Sequence, residues 1–172
     1  MSSATVIGVE EYLRKAYRPD CDYLEGVLLE RHVGERDHSR VQASLTVYLG
    51  NREKEWGVWV FTQQRIQVKP ERFRVPDLCV VAGPMPEGPA LTEPPLVCIE
   101  ILSREDTMTE MQERIDDYLA FGVRYVWLID PRTRKGWICT SDGIKEARDG
   151  KLRTTEPELE VPLEAIFQAA GV

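Results

Sequence analysis

Leu96-Val97-Cys98-Ile99-Glu100-Ile101-Leu102-Ser103 contains the most apolar run of the chain, and that run carries one charge. A short continuous apolar run bounded by Pro-rich and polar flanks reads as a strand buried on both faces. Ser103–Asp106 is polar. Met108, Met111, Ile115, Tyr118 and Leu119 then recur at helical spacing, and the pattern stops at Gly122, a residue suited to end a helix. Tyr125–Ile129 is a second buried strand, closed by Asp130-Pro131. Strand, helix and strand make one βαβ crossover, expected to be right-handed.

The pattern extends outward on both sides. Val75-Pro76-Asp77-Leu78-Cys79-Val80-Val81 ends in another buried run. Between it and the first strand, Gly83–Pro95 holds five of the eleven prolines and reads as a loop within one sheet. Val58–Thr62 and Arg65–Lys69 are short strand candidates. Val41, Leu45, Tyr48 and Leu49 mark an amphipathic helix over Asp37–Asn51, preceded by a Gly34–Asp37 turn with Asp37 as its expected N-cap. Cys21–Arg31 reads as a β-hairpin or bent strand pair containing Gly26, and Val9–Tyr17 as a short helix stopped by Pro19. Downstream come a Lys135–Thr140 strand, a Ser141-Asp142-Gly143 hairpin turn and a Pro162–Ala170 helix. The central order is α-β-β-β-α-β, which predicts an α/β fold with helices flanking a mixed β-sheet, as a single domain over residues 1–172.

Composition bounds the function classes. The 172 residues include 22 basic and 29 acidic side chains, for a net charge of -7. With 42% hydrophobic and 30% charged residues, the chain reads as a globular domain and not a disordered one. No apolar stretch approaches the roughly 18 residues of a membrane helix. The start lacks the basic and apolar regions of a signal peptide, and Cys21, Cys79, Cys98 and Cys139 are scattered without metal spacing. A cytoplasmic location with free thiols is the expectation. The acidic balance argues against binding nucleic acid over the whole surface, while leaving room for a local basic groove.

Glu100 and Asp77 are the two anomalies. An unpaired carboxylate in an apolar run costs several kcal/mol, so Glu100 needs a cation, a donor or a metal. Asp77 follows Pro76 at the mouth of another buried strand. Two carboxylates at the ends of neighbouring strands can share a hard ion such as Mg²⁺ or Mn²⁺. The alternatives are an arginine ion pair for Glu100 and an ordinary strand-entry turn for Asp77.

Val75-Pro76-Asp77 followed by Cys98-Ile99-Glu100-Ile101-Leu102-Ser103 resembles the signature of the Uma-two restriction endonuclease family, within the PD-(D/E)XK nuclease superfamily. Asp22-Tyr23-Leu24-Glu25-Gly26 is similar to that family's hairpin, His38 to its helix-start histidine, and Tyr118–Pro131 and Pro162–Phe167 to its later stretches. The resemblance spans nearly the whole chain. It implies a restriction-endonuclease-like fold and Mg²⁺-dependent (or Mn²⁺-dependent) hydrolysis of phosphodiester bonds in nucleic acid, DNA foremost.

Residue by residue, the resemblance implies Asp77 and Glu100 as the metal carboxylates. The superfamily lysine two residues after the glutamate is replaced by Leu102, and Arg114 matches a lysine displaced onto the next helix. Arginine stays protonated, so Arg114 can clamp a phosphate or balance Glu100 but cannot be a base. The alternative sets it on solvated helix surface, paired with Glu110. His38 would lie in the first turn of a helix, where the dipole lowers its pKa and favours a neutral imidazole for metal or proton; the alternative is a surface histidine near an N-cap. Asp22 stands where the family has glutamate, one methylene shorter. Glu25 reads as a turn residue and His32 as a surface one. Arg65, Lys69, Arg72, Arg74, Arg132, Arg134 and Lys135 are candidates for a phosphate-binding rim, or for solvated charge. Trp56, Trp59 and Trp137 are candidate exposed residues for a symmetric homodimer. The rival reading is a catalytically silent nuclease fold that binds nucleic acid or a protein partner.

Overall fold

The computed structural model describes residues 6–31 and 35–172. His32 and Gly34 lie outside the described residues, as does the expectation for His32. The elements are α1 (Val9–Arg14), β1 (Cys21–Leu24), β2 (Val27–Glu30), α2 (Arg36–Gly50), α3 (Glu53–Trp56), β3 (Val58–Thr62), β4 (Ile66–Lys69), β5 (Arg72–Arg74), β6 (Leu78–Ala82), β7 (Val97–Ile101), α4 (Met108–Phe121), β8 (Tyr125–Asp130), β9 (Lys135–Thr140), β10 (Gly143–Glu146), β11 (Lys151–Arg153), β12 (Glu160–Pro162) and α5 (Leu163–Ala170).

A six-stranded mixed sheet runs β10-β9-β8-β7-β6-β3. β7 and β8 are its parallel pair, joined through α4 as the crossover pattern predicts, while β6 runs antiparallel to both β3 and β7. The sheet together with α2 and α4 reads α2-β3-β6-β7-α4-β8, the expected α-β-β-β-α-β order. β7 is buried at every position. Its side chains alternate across the sheet as strand geometry demands. Val97, Ile99 and Ile101 pack with Val41, Leu45 and Leu49 of α2 and Ile166 and Phe167 of α5. Cys98 packs on the other face with Met111, Ile115 and Tyr118 of α4. Glu100 shares the parity of Cys98 and so points toward α4.

α4 owes its sharp ends to local chemistry. The Thr107 hydroxyl accepts from Glu110 N, and Glu110 caps Thr107 N in return. Gly122 closes the helix at φ 110, a left-handed conformation that favours glycine.

A second, four-stranded antiparallel sheet, β2-β1-β5-β4, packs Tyr23 and Phe73 against Tyr12 of α1. The strand candidate at Arg65–Lys69 is thus a strand, over Ile66–Lys69, and it joins this sheet and not the main one. Its apolar residues Ile66 and Val68 are buried against the α4 side of the main sheet. A third, two-stranded sheet, β11-β12, leads into α5. Asp37 is not the N-cap of α2, since the helix already begins at Arg36 behind Glu35. Trp56, Trp59 and Trp137 are half-buried and not exposed, and Trp59 Nε1 donates to Gly83 O. All four cysteines are free and buried. Among the described residues no helix is long and apolar enough to cross a membrane.

Candidate functional site

The β6–β7 register pairs Leu78 with Ile99, so Asp77 and Glu100 come next to each other where the two strands end. Both are almost fully buried. The Asp77 carboxylate is fixed from two sides. Oδ2 accepts from Ile101 N at 2.8 Å and lies 3.2 Å from His38 Nε2. Gln42, one turn along α2 from His38, donates to Asp77 O at 3.1 Å. The Glu100 carboxylate is fixed from α4, where the Tyr118 hydroxyl donates to Oε1 at 2.7 Å and Arg114 Nη1 lies at 3.4 Å.

The two remaining oxygens face each other. Asp77 Oδ1 and Glu100 Oε2 both accept from one nitrogen, Arg31 Nη2, at 3.0 and 2.9 Å. The arginine ion pair weighed for Glu100 is therefore present. It comes from two arginines, and one of them bridges to Asp77.

Asp22 is fully buried and reaches this group through Arg114, whose Nη2 is 2.9 Å from Asp22 Oδ2. Arg74 Nη1 also pairs with Asp22 at 2.9 Å, and Val75 N donates to Asp22 Oδ1 at 2.9 Å. Arg74 continues to Asp117 at 2.7 Å. Arg114 is thus turned inward toward Glu100 and Asp22, not spread on solvated helix surface. Its side chain is 12% exposed.

Of the residues before Asp77 named for a phosphate rim, Lys69 stays half exposed, 3.9 Å from Asp117, while the three arginines are taken up in ion pairs. Arg65 is buried and spent on Asp20 and the carbonyls of Tyr12 and Lys15. Arg74 is buried between two carboxylates, and Arg72 pairs with Glu25 and Asp117. Beyond β8, Arg132, Arg134 and Lys135 pair with Asp130, Glu164 and Glu146. Glu25 is the turn residue expected, at φ 46.

The electrostatics separate the two carboxylates. Burial raises the Glu100 pKa to about 7, with the Asp77 charge adding to it and Arg31 and Tyr118 opposing. For Asp77 burial pushes up, but the His38 hydrogen bond, Arg31 and Ile101 N together hold it below the ordinary carboxylate range. His38 goes opposite to the dipole expectation. Burial lowers its pKa, but the Asp77 hydrogen bond and charge outweigh that and raise it above 6.5. Its Nδ1 is buried with no hydrogen-bond partner among the described residues.

Among the described residues, no group of three or more His, Cys, Asp or Glu is arranged to hold a metal ion. A pair still suits Mg²⁺, which is bound through one or two carboxylates and keeps several waters. One oxygen from each of Asp77 and Glu100, aimed at one cationic nitrogen, fits that donor set.

Arg31, Tyr118, Gln42 and Asp117 belong to this network and are not singled out as site residues by sequence, and Arg74 enters there only as a phosphate-rim candidate. Tyr118 carried a usable signal, because a tyrosine on a buried helix face must find a partner for its hydroxyl. Arg31 carried none beyond its place at the end of a hairpin.

A mixed sheet with a buried carboxylate pair at its strand ends, flanked by α2 and α4, defines a restriction-endonuclease-like α/β protein. Residues 9–170 match the model of the Uma2 family, described as "Putative restriction endonuclease", and the chain belongs to that family. A crystal structure of "a putative nuclease belonging to DUF820 from Anabaena variabilis ATCC 29413" superposes with a TM-score of 0.78 at 20% identity, over 95% of this chain and 99% of that one. That likeness shows the shared fold. A "cryoEM structure DrdV-DNA complex" superposes at TM-score 0.46 and 14% identity, over 80% of this chain and 12% of the other. No curated protein matches the chain.

Proposed function

We propose that the chain is a divalent-metal-dependent endonuclease that hydrolyses phosphodiester bonds in DNA, with Asp77 and Glu100 as its metal carboxylates. The observation that carries this is the convergence of Asp77 Oδ1 and Glu100 Oε2 on a single cationic nitrogen. Family membership supports the nuclease reading.

Mg²⁺ or Mn²⁺, when bound, would supply an activated water and neutralise charge on the phosphate. The chain's own residues have separate tasks. Tyr118 and Ile101 N each hold one carboxylate oxygen, and the other oxygen of each carboxylate meets Arg31 Nη2. Arg114 is a fixed cation at the edge of the pair and stabilises charge developing on a phosphate; it takes no proton. His38 shares its Nε2 proton with Asp77 and keeps that carboxylate ionised. Asp22 acts through Arg114 as a positioning residue. Cutting both strands of a duplex asks for two such sites, which a two-fold homodimer would supply.

The rival, a silent nuclease fold that binds DNA or protein, draws on Leu102 in the lysine position and on Arg31 in the carboxylate pair. Plasmid and single-stranded DNA cleavage with Mg²⁺, Mn²⁺ or EDTA separates the two. The parent should cut with either metal and not with EDTA. Asp77→Ala should lose Mn²⁺ binding and cleavage together, while Arg114→Ala should keep most metal affinity and lose about 10²-fold in turnover. A folded parent that cuts neither substrate at saturating metal refutes the proposal.

A further inference from the structure

The carboxylate pair already holds a cation, and that cation is part of the chain. Arg31 follows the last residue of β2. Its guanidinium meets the Asp77–Glu100 pair through one nitrogen, Nη2. We propose that Arg31 is a displaceable latch, so that a divalent ion binds Asp77 and Glu100 only by expelling the Arg31 guanidinium. The chain's own side chain would then set the metal concentration at which the site opens. This inference rests on reading Asp77 and Glu100 as metal carboxylates.

Four observations support it. First, the other two oxygens are committed, Asp77 Oδ2 to Ile101 N and His38 and Glu100 Oε1 to Tyr118 and Arg114. The lone pairs left for a metal are those Arg31 occupies. Second, a guanidinium and a divalent ion on the same two oxygens repel each other, and one must leave. Third, Arg31 is the most exposed group touching the pair. Its side chain is 17% exposed, against 4% for Asp77 and 1% for Glu100. It can withdraw toward solvent while they cannot. Fourth, its hydrogen bonding to the pair is confined to one nitrogen, although the charges of Glu100, Asp77 and Asp22 outweigh burial and keep the guanidinium protonated. Arg65 is pinned through Nε, Nη1 and Nη2 to three different residues, whereas Arg31 bonds to the pair through Nη2 alone.

The departure of Arg31 leaves the carboxylates where they are, because Ile101 N, His38, Tyr118 and Arg114 still hold them. Arg31 thus balances two buried charges in the metal-free chain without building the geometry that the metal uses.

The test is Mn²⁺ binding without nucleic acid, read from the electron paramagnetic resonance signal of free Mn²⁺. Parent, Arg31→Ala, Arg31→Gln, Arg31→Lys and Asp77→Asn are compared, each checked for a cooperative melt. Arg31→Gln and Arg31→Ala should bind Mn²⁺ at least about tenfold tighter than the parent, a difference of about 1.4 kcal/mol. Arg31→Lys keeps a competing charge and should stay near the parent. Asp77→Asn should lose the site. Should Arg31→Ala not fold, Arg31→Gln retains part of the stem and a donor and gives the same reading. Arg31→Gln binding no tighter than the parent, with Asp77→Asn still losing Mn²⁺, overturns the latch and leaves the metal carboxylates standing. Loss of Mn²⁺ binding in Arg31→Gln has the same meaning, with Arg31 as scaffold. No Mn²⁺ binding by the parent and by every Arg31 variant overturns both.

Discussion

Replacing Glu100 with Gln should stabilise the metal-free protein in alkali while abolishing its proposed metal site. Burial lifts the Glu100 pKa to about 7 against an ordinary 4.5. A group whose folded pKa lies above its unfolded one favours folding when protonated. Its contribution is fully present below about pH 4.5 and is lost as pH rises through about 7. At about 1.4 kcal/mol per pH unit, that gap amounts to about 3 kcal/mol. Gln has the same shape and no charge to ionise, so it escapes this loss. Its poorer bond to Arg31 costs a roughly constant amount, which makes the pH dependence of the difference the quantity to measure. Urea unfolding in EDTA at about pH 4 and about pH 8.5 should show Glu100→Gln gaining on the parent by about 3 kcal/mol between them. For a chain of this length the same gain is roughly 6–12 °C in melting temperature. Saturating Mn²⁺ at the higher pH should restore the parent and leave the variant unmoved. A parent–variant difference that is the same at both pH values would refute the reasoning, since Glu100 would then ionise at an ordinary pKa.

Arg74→Met should destabilise the fold by about 3–5 kcal/mol, a large part of a typical domain's stability, because it leaves Asp22 and Asp117 short of a buried partner. Thermal melts check this, and a midpoint within error of the parent's would mean that Arg72 and Arg114 compensate in full. His38, whose folded pKa is raised by Asp77, contributes stability that is full below about pH 6.5 and is lost as pH climbs through the folded value. His38→Gln should therefore lag the parent in mild acid and match it in alkali. An imidazole titrating below its ordinary pKa by NMR would contradict the pairing.

The core of the fold is legible because its signals are local. Val97–Ile101 is apolar on both parities, Met108–Phe121 keeps a helical stripe, and Gly122 ends it at a positive φ. The second sheet is hard to read for the opposite reason. Arg72-Phe73-Arg74 is three residues with two charges and looks like loop, yet it is the strand β5. Ile66–Lys69 has strand character, but nothing within it says which sheet it joins. Glu53–Trp56 is one charged turn with no period to detect. Asp77 and Glu100 stand out because a charge inside an apolar run breaks a pattern. Arg31 breaks none, since it follows a strand with Val27 and Leu29 exposed, and its two partners lie 46 and 69 residues away. The buried arginines before Asp77 look in sequence like the solvated ones after Asp130, because burial of a charge is decided by tertiary pairing.

Those pairings form one connected series. Asp77, Arg31, Glu100, Arg114, Asp22, Arg74, Asp117, Arg72 and Glu25 alternate in sign, with every link between 2.7 and 3.4 Å. The series starts at the strand ends of the main sheet and finishes at the β1–β2 turn, so the small sheet is tied to the site by charge as well as by Ile66 and Val68. Buried ion pairs are a poor way to gain stability, because well-packed apolar residues of similar volume often do as well or better. Stability therefore does not explain why Asp22, Arg74 and Arg114 are ionic. Their contacts lead to the proposed site. Asp22 draws Arg114 to within reach of Glu100 Oε1, and Arg74 draws Asp22 into the position that makes this possible. The Asp77–Glu100 pair is left with two oxygens facing one point, and Arg31 Nη2 is the cation that sits there.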